Sequence, residues 1–358
     1  MNRLHLFSTT IAALLLGAFP GIARAADPKL SILWVDVEGG AATLIVTPAG
    51  ESVLIDSGSA GGRDPGRIQA AARAAGLQKI DYFVLTHFHT DHFGGIPEVA
   101  QLLPVGVVYD KGLPTAAPDG NPNDTRFPLL IKPYREMKVA ERRQIHAGDT
   151  LPLRQVEQTP KLTLRCLGAN QQFIAAPTGA SLVPAADCAN ARTKGKDTSD
   201  NANSLVLLLE YGDFRLFIAG DLTWDVEARL ACPVNLVGPV DVYQVTHHGL
   251  AASNNPLLLR ALQPAVAIMS NGTQKGCEPE TCATLSALPG LQARYQIHRN
   301  LRADVQNNTA PEYIANREKN CAGNAIQLTV APDSHTYEVS IPATGHHRQF
   351  TTQKSIPH

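Results

Sequence analysis

Residues 86–95 read THFHTDHFGG and place three imidazoles and a carboxylate at His87, His89, Asp91 and His92. They follow the apolar run IDYFVL directly. Polar groups this dense at the end of a buried strand are costly unless something binds them. Side chains two residues apart on an extended segment point the same way, so His87 and His89 can reach one metal ion. Asp91 and His92 fall where the chain turns, toward a second ion. Gly94 and Gly95 let the backbone pass close by, having no side chains. Imidazoles with a carboxylate favour zinc, with manganese or iron as the other candidates.

Two distant points fit the same chemistry. Asp221 ends the strand RLFIAGD, at the place where an α/β sheet presents its site. Its two oxygens can bridge two ions. His247 and His248 end DVYQVTHH in the same relative position. Each feature alone fits a hydrogen-bonded structural group. Together, each after an apolar strand, they point to a metal centre. The six cysteines form no CxxC pair, so a cysteine zinc site is not expected.

The elements that must position these groups are legible in outline. Segments 30–37, 42–47 and 52–58 have strand composition, with turn residues between them. DPGRIQAAARAAG reads as a helix with Asp64 as N-cap. A strand over 80–85, a helix over 96–103 and a strand over 105–109 follow. Residues 111–150 and 170–202 are loop-rich, and loops this long are usually functional. Within them KPYREMKVAERR (132–143) reads as a basic surface helix. The second half repeats the alternation: a strand pair over 204–221, helix 223–231, strand 241–249, helix 256–262, strand 265–270, and closing strands near 325–331 and 337–341. Nothing resembles a linker or a short-period repeat. The expected architecture is α/β, two packed sheets with helices outside.

The chain has 358 residues, 44% hydrophobic and 18% charged, which suits a soluble protein with a large core and excludes disorder. Its first 25 residues, with Arg3, an apolar stretch over 11–19 and Ala23-Arg24-Ala25, read as a signal peptide. The apolar stretch is too short to span a bilayer comfortably. The expected organisation is a signal peptide over 1–25, one domain over 26–345 and a tail over 346–358, in a periplasmic or secreted protein with no stable membrane insertion once the signal is removed. Taking Arg3 and Arg24 from the 31 basic residues leaves 29 against 32 acidic, or −3. That balance gives no support to binding of nucleic acid, which favours a basic face. The expected partner is a small-molecule or phosphoester substrate. Six cysteines in an exported chain suggest disulfides. Cys277 and Cys282, near a turn at Pro279, are the candidate pair, with Cys321 competing.

HFHTDH matches the HxHxDH signature of the metallo-β-lactamase superfamily, and VLIDSG, HxHxDH, AGD and THHG occur in that superfamily's order. WVDVEGGAATLI, NANSLVLLLEYGDFRLFIAGD and VTHHGLAASN resemble motifs of the hydrolase domain of the DNA-uptake protein ComEC and its secreted stand-alone relatives. The resemblance runs from about residue 32 to 340. It implies a four-layer αββα sandwich with two metal ions at one edge of the sheets, zinc or alternatively manganese. His87 and His89 would hold the first ion, Asp91 and His92 the second, and Asp221 would bridge. His247 is favoured over His248 to complete the second site. Asp56, in VLIDSG, would hold a ligand imidazole by a hydrogen bond.

The superfamily's third histidine for the first ion is absent: that region reads SDNANS, with Asn201 and Asn203. The Gly-His-Pro of ComEC-like relatives is replaced by Gly276-Cys277-Glu278-Pro279. The implied chemistry is hydrolysis by a metal-bridged hydroxide. Asp91 would orient it and take its proton; His248 or Asn203 would stabilise charge on the leaving oxygen. Phosphoester or phosphodiester bonds are the leading substrate class. Lactones, thioesters or β-lactams form a second class, and a non-catalytic metal-binding protein is the third reading.

Overall fold

The computed structural model describes residues 29–121, 123–178, 180, 182–303 and 305–353, so the expected signal peptide lies outside the described residues. Two sheets stack face to face. The nine-stranded sheet runs, in spatial order, His346–Thr351, Thr336–Ile341, Ile326–Val330, Leu30–Trp34, Thr43–Val46, Ser52–Ile55, Ile80–Val84, Val105–Asp110 and Glu141–Gln144. The eight-stranded sheet runs Ile314–Asn316, Ala293–His298, Val266–Met269, Val242–Gln244, Phe214–Ile218, Val206–Tyr211, Leu162–Ala169 and Gln172–Phe173.

The apolar pattern explains the four layers. Side chains alternate faces along a strand. Leu30, Ile32 and Trp34 therefore enter the core between the sheets, while Leu33 packs outward under the helices of the first sheet. Leu205, Leu207 and Leu209 point inward, and Val206 and Leu208 point outward. Strands buried on both faces read as nearly unbroken apolar runs. The outer clusters are covered by Arg63–Ala74, Ile96–Leu102 and Phe127–Glu136 on one side, and by Trp224–Ala231, Pro256–Leu262 and Pro279–Ser286 on the other. The αββα sandwich expected from the sequence is the observed fold.

Ser52–Ile55, Ile80–Val84 and Val105–Asp110 are parallel neighbours, as are Phe214–Ile218, Val242–Gln244 and Val266–Met269. Asp56, His87, Asp221, His247 and Ser270 each follow the C-terminal end of one of these strands. Gln244 ties the two sheets together beneath them, accepting from Trp34 Nε1 at 2.8 Å and Thr43 Oγ1 at 2.9 Å.

Three expectations are corrected. The basic helix over 132–143 is instead a helix at Phe127–Glu136 followed by an edge strand at Glu141–Gln144. Phe127, Ile131 and Tyr134, spaced on one helical face, are buried there; charge drew the sequence reading away from them. The boundary placed at 345/346 cuts a hairpin, because His346–Thr351 pairs antiparallel with Thr336–Ile341. Asp64 lies inside its helix rather than capping it, and accepts from the backbone N–H of Ser59.

The disulfide joins Cys188 to Cys232, not Cys277 to Cys282. Cys277 and Cys282 remain thiols with sulfurs 3.5 Å apart. A link over 44 residues restricts the unfolded chain and contributes ~4 kcal/mol on loop entropy alone. The unfolded, unreduced protein should therefore titrate four thiols, and peptide mapping should join Cys188 to Cys232. Six thiols, or a Cys277–Cys282 peptide, would contradict this assignment.

Candidate metal centre

The site is assembled from strand ends. After Ser52–Ile55 the chain turns through Asp56, whose φ of 57° lies in the left-handed region. That turn aims its carboxylate at the next strand's exit. Oδ1 accepts from the Thr86 backbone N–H at 2.8 Å, and Oδ2 accepts from Thr86 Oγ1 and contacts His92 Nδ1, each at 2.8 Å. The Asp56 carboxylate thus fixes the start of the HxHxDH segment and its last histidine together. The backbone of Gly95 lies against the Ser57 carbonyl, where a Cβ would collide. Gly40 lies as closely against the Asp91 carbonyl, to which Ala41 donates.

His247 and His248 follow Val242–Gln244, with φ of 54° and 55°. Consecutive non-glycine residues there are strained and persist only where the surroundings fix them. Here His247 N donates to Gly220 O, Cys277 N donates to His248 O, and Asn254 holds the Thr246 carbonyl. Both imidazoles consequently bring Nε2 toward Asp221, from ring centroids 6.2 Å apart.

Two potential ligand sets result: Asp91, His92, Asp221 and His248, and His87, His89 and Asp221, with the ligand atoms of each set within 4.8 Å of one another. Asp221 Oδ2 lies 3.3 Å from His92 Nε2, 3.3 Å from His248 Nε2, 3.5 Å from His247 Nε2 and 3.8 Å from His87 Nε2. The geometry thus exchanges two expected roles. His248, not His247, groups with Asp91, His92 and Asp221, its Nδ1 held by the Ser270 carbonyl at 3.0 Å. His247 Nε2 faces Asp221 and the Asn201 amide, 3.4 Å away.

Asn203 is not at the centre. Its amide oxygen accepts from Gln171 at 2.9 Å, and its nitrogen reaches Asp200. Asn201 is the asparagine that faces the site, and its Oδ1 is buried without a partner among the described residues. The two are two residues apart on the short helix Asp200–Asn203, about two thirds of a turn, and so point different ways, a phase the sequence string could not supply.

The electrostatics fit bound cations. Burial alone would raise the pKa of Asp221, but His248, His92 and His247 outweigh it and hold the carboxylate well below its usual range. Burial likewise opposes the charge on His92, yet Asp221, Asp56 and Asp91 raise its pKa well above the usual value. His87 goes the other way: burial, then His92, keep it neutral, and its Nε2 is buried with no hydrogen-bond partner. A neutral imidazole with an unshared lone pair aimed at a carboxylate is a metal ligand in waiting, so the residues present fit a pair of divalent ions.

Sequence reasoning missed Lys275, whose Nζ is 2.5 Å from Asp91 Oδ2. It also missed the buried Lys111–Asp200 pair, and Asp119, 2.9 Å from His89 Nε2. Lys275 stands immediately before the Gly-Cys-Glu-Pro noted as a departure, the one signal that could have marked it. Asp36, His298 and Cys321 form another compact set. There Arg67 Nη1, 3.1 Å from Asp36 Oδ2, already supplies the cation.

A buried carboxyl supports the His-His turn from behind. Glu227 accepts from the Asn255 backbone N–H, and burial pushes its pKa up to about 7. Its proton is retained on folding, so stability is full below the unfolded value near 4.5 and falls as pH rises toward 7. Glu227→Gln should flatten that fall and gain up to ~3 kcal/mol at pH 8. Urea unfolding at pH 5 and pH 8 checks this; an equal effect at both would refute it.

Residues 35–170 match the family model of the Metallo-beta-lactamase superfamily. A UPF0173 metal-dependent hydrolase of Cupriavidus metallidurans is 39% identical over 75 residues, 21% of this chain and 24% of that protein. ComE operon protein 3 of Bacillus subtilis is 27% identical over 201 residues, 56% of this chain and 21% of that protein, consistent with the ComEC-like resemblance. Recombination protein 2 of Haemophilus influenzae is 36% identical over 74 residues, 21% of this chain and 9% of that protein. The matches span less than half the length of these relatives. Among solved structures, CmlA, a diiron β-hydroxylase from Streptomyces venezuelae, aligns with a TM-score of 0.44 and 15% identity, over 75% of this chain and 53% of that one. A putative metal-dependent hydrolase from Parabacteroides distasonis aligns with 0.39 and 14%, over 74% and 92%.

Proposed function

We propose that this chain, which carries a metallo-β-lactamase superfamily domain in the corresponding αββα fold, is an exported metal-dependent hydrolase of phosphoester bonds. The reading is carried by one observation: two ligand sets share the buried Asp221, and the Lys275 ammonium stands beside them against Asp91. His87, His89 and Asp221 would hold one ion; Asp91, His92, Asp221 and His248 would hold the other. Zinc suits these ligands, and manganese is the alternative. Bound ions supply Lewis acidity, which makes water nucleophilic near neutral pH and polarises the bond under attack.

The chain's own residues supply the rest. Asp91 is the part-exposed carboxylate of the set. Burial opposes its ionisation, but His92, His248 and Lys275 overcome that and keep it a carboxylate. It orients the attacking water and accepts its proton. His247, beside Asp221 and outside the Asp91–His92–Asp221–His248 set, is placed to hydrogen-bond the departing oxygen. Lys275 favours a substrate that brings negative charge, which supports a phosphoester over a neutral lactone or ring amide. Asn203, held by Gln171 and Asp200, takes no part. Export is supported by the Cys188–Cys232 disulfide, since such links persist in oxidising compartments. Among the described residues no helix is long and apolar enough to cross a membrane.

Turnover of bis-p-nitrophenyl phosphate should depend on added zinc or manganese and exceed that of nitrocefin or a homoserine lactone. Activity confined to the lactone or nitrocefin would replace the substrate class, and metal-independent turnover would remove the mechanism. Asp221→Ala should lower the rate by more than ~100-fold, beyond what loss of a supporting partner costs. Lys275→Ala should cost roughly 10- to 100-fold on the anionic diester and little on a neutral ester. Equal losses on both would mean that Lys275 does not meet substrate charge.

A further inference from the structure

His89 is turned around relative to the other imidazoles of the centre. His87, His92, His247 and His248 each have Nδ1 engaged from behind, by Thr86 Oγ1, Asp56, Ser253 Oγ and the Ser270 carbonyl respectively. Each of these four directs Nε2 at Asp221. In His89 the engaged nitrogen is Nε2, 2.9 Å from Asp119 Oδ1, which leaves Nδ1 as the nitrogen available to the His87–His89–Asp221 set. Asp119 comes from the long loop after Val105–Asp110, far in sequence from every motif residue. It is held by the Asp200 backbone N–H, 2.8 Å from the same Oδ1. The buried Asp200 carboxylate in turn accepts from the backbone N–H of Phe88, between His87 and His89, and from Lys111. One buried aspartate therefore places both the histidine pair and the carboxylate behind His89.

We propose that Asp119 is the positioning residue of the first metal site: it accepts the Nε2–H of His89 and so presents Nδ1 to the ion. This rests on the metal reading above. A carboxylate behind a ligand imidazole fixes its tautomer and raises its basicity, and this site, lacking the third histidine, depends on that support most.

The test uses the full chain loaded with zinc, compared with Asp119→Ala and Asp119→Asn. Bound ions are counted during a chelator titration, and histidine nitrogen resonances are recorded by NMR on the same samples. In Asp119→Ala one of the two ions should bind roughly 10- to 100-fold more weakly while the other is unchanged. The slowly exchanging Nε2–H of His89 should be lost. Asp119→Asn keeps an acceptor oxygen without the charge; it should retain that proton and fall between the two in affinity, and it decides the matter if Asp119→Ala does not fold. Wild-type affinity for both ions in the folded alanine variant, equal weakening of both, or a His89 proton on Nδ1 would each overturn the inference while leaving the metal reading intact. A wild-type chain that takes up no zinc or manganese would overturn both.

Discussion

The constraint on which the centre depends is a carboxylate shut away from bulk solvent. Asp221 is almost fully buried, and four imidazole nitrogens lie within 3.8 Å of one of its oxygens. A buried charge must be met by opposite charge or by donors. The surrounding histidines can meet it as imidazolium groups or as neutral ligands of cations. The first state suits His92 and His248, whose pKa values are raised; it does not suit His87, which burial keeps neutral. Only the second state uses every imidazole. Because ligand nitrogens must be free of protons, filling the site with cations drives protons off His92 and His248, and acid opposes it.

Holding so many imidazoles around one carboxylate requires a rigid frame. The two sheets provide it by ending several parallel strands at one edge. The connections leave little freedom: Asp56 binds the backbone N–H and hydroxyl of Thr86 and the His92 imidazole with one carboxylate, and the His247–His248 turn is kept in a left-handed conformation by hydrogen bonds from three directions. Strain held at such a point is a cost the buried core must offset elsewhere. The continuous apolar strands on both sides of the turn, each buried on both faces, are where that stability comes from.

This division explains what the sequence could and could not disclose. Buried strands are apolar runs, and the motif residues stand directly after them, so the sandwich and the grouping of His87, His89, Asp91, His92 and Asp221 were legible. The choice between His247 and His248 was not. It turns on two positive φ angles that no residue type signals, since histidine does not demand that conformation as glycine does. The choice between Asn201 and Asn203 turned on the phase of one short helical turn. Asp119 and Lys275 were hidden for a different reason: they reach the site from loops whose paths are set by tertiary contacts, and only the Gly-Cys-Glu-Pro departure beside Lys275 marks either of them. The helix at Phe127–Glu136 was misplaced because its charges were weighed above the spacing of Phe127, Ile131 and Tyr134.

The same division bears on function. Groups that would hold ions come from strand ends, where the sandwich fixes them. Groups that would distinguish one substrate from another come from outside the strands: Lys275 in the loop before Gly276 and Asn201 in the short helix. A fold of this kind can keep its ions while its loops exchange one anion-binding or water-orienting group for another. In this chain the loop after Val266–Met269 carries lysine beside Asp91, and Asn201 faces the centre with an unsatisfied oxygen. The first puts positive charge where substrate would approach. With Asn201 in place of an imidazole, an ion would be held there by His87, His89 and Asp221 alone. Two ligand sets of unequal size with an ammonium group beside them would suit, once loaded, a substrate that brings an oxyanion of its own. A neutral ring would bring no charge to meet the ammonium, which would keep Asp91 alone as its partner.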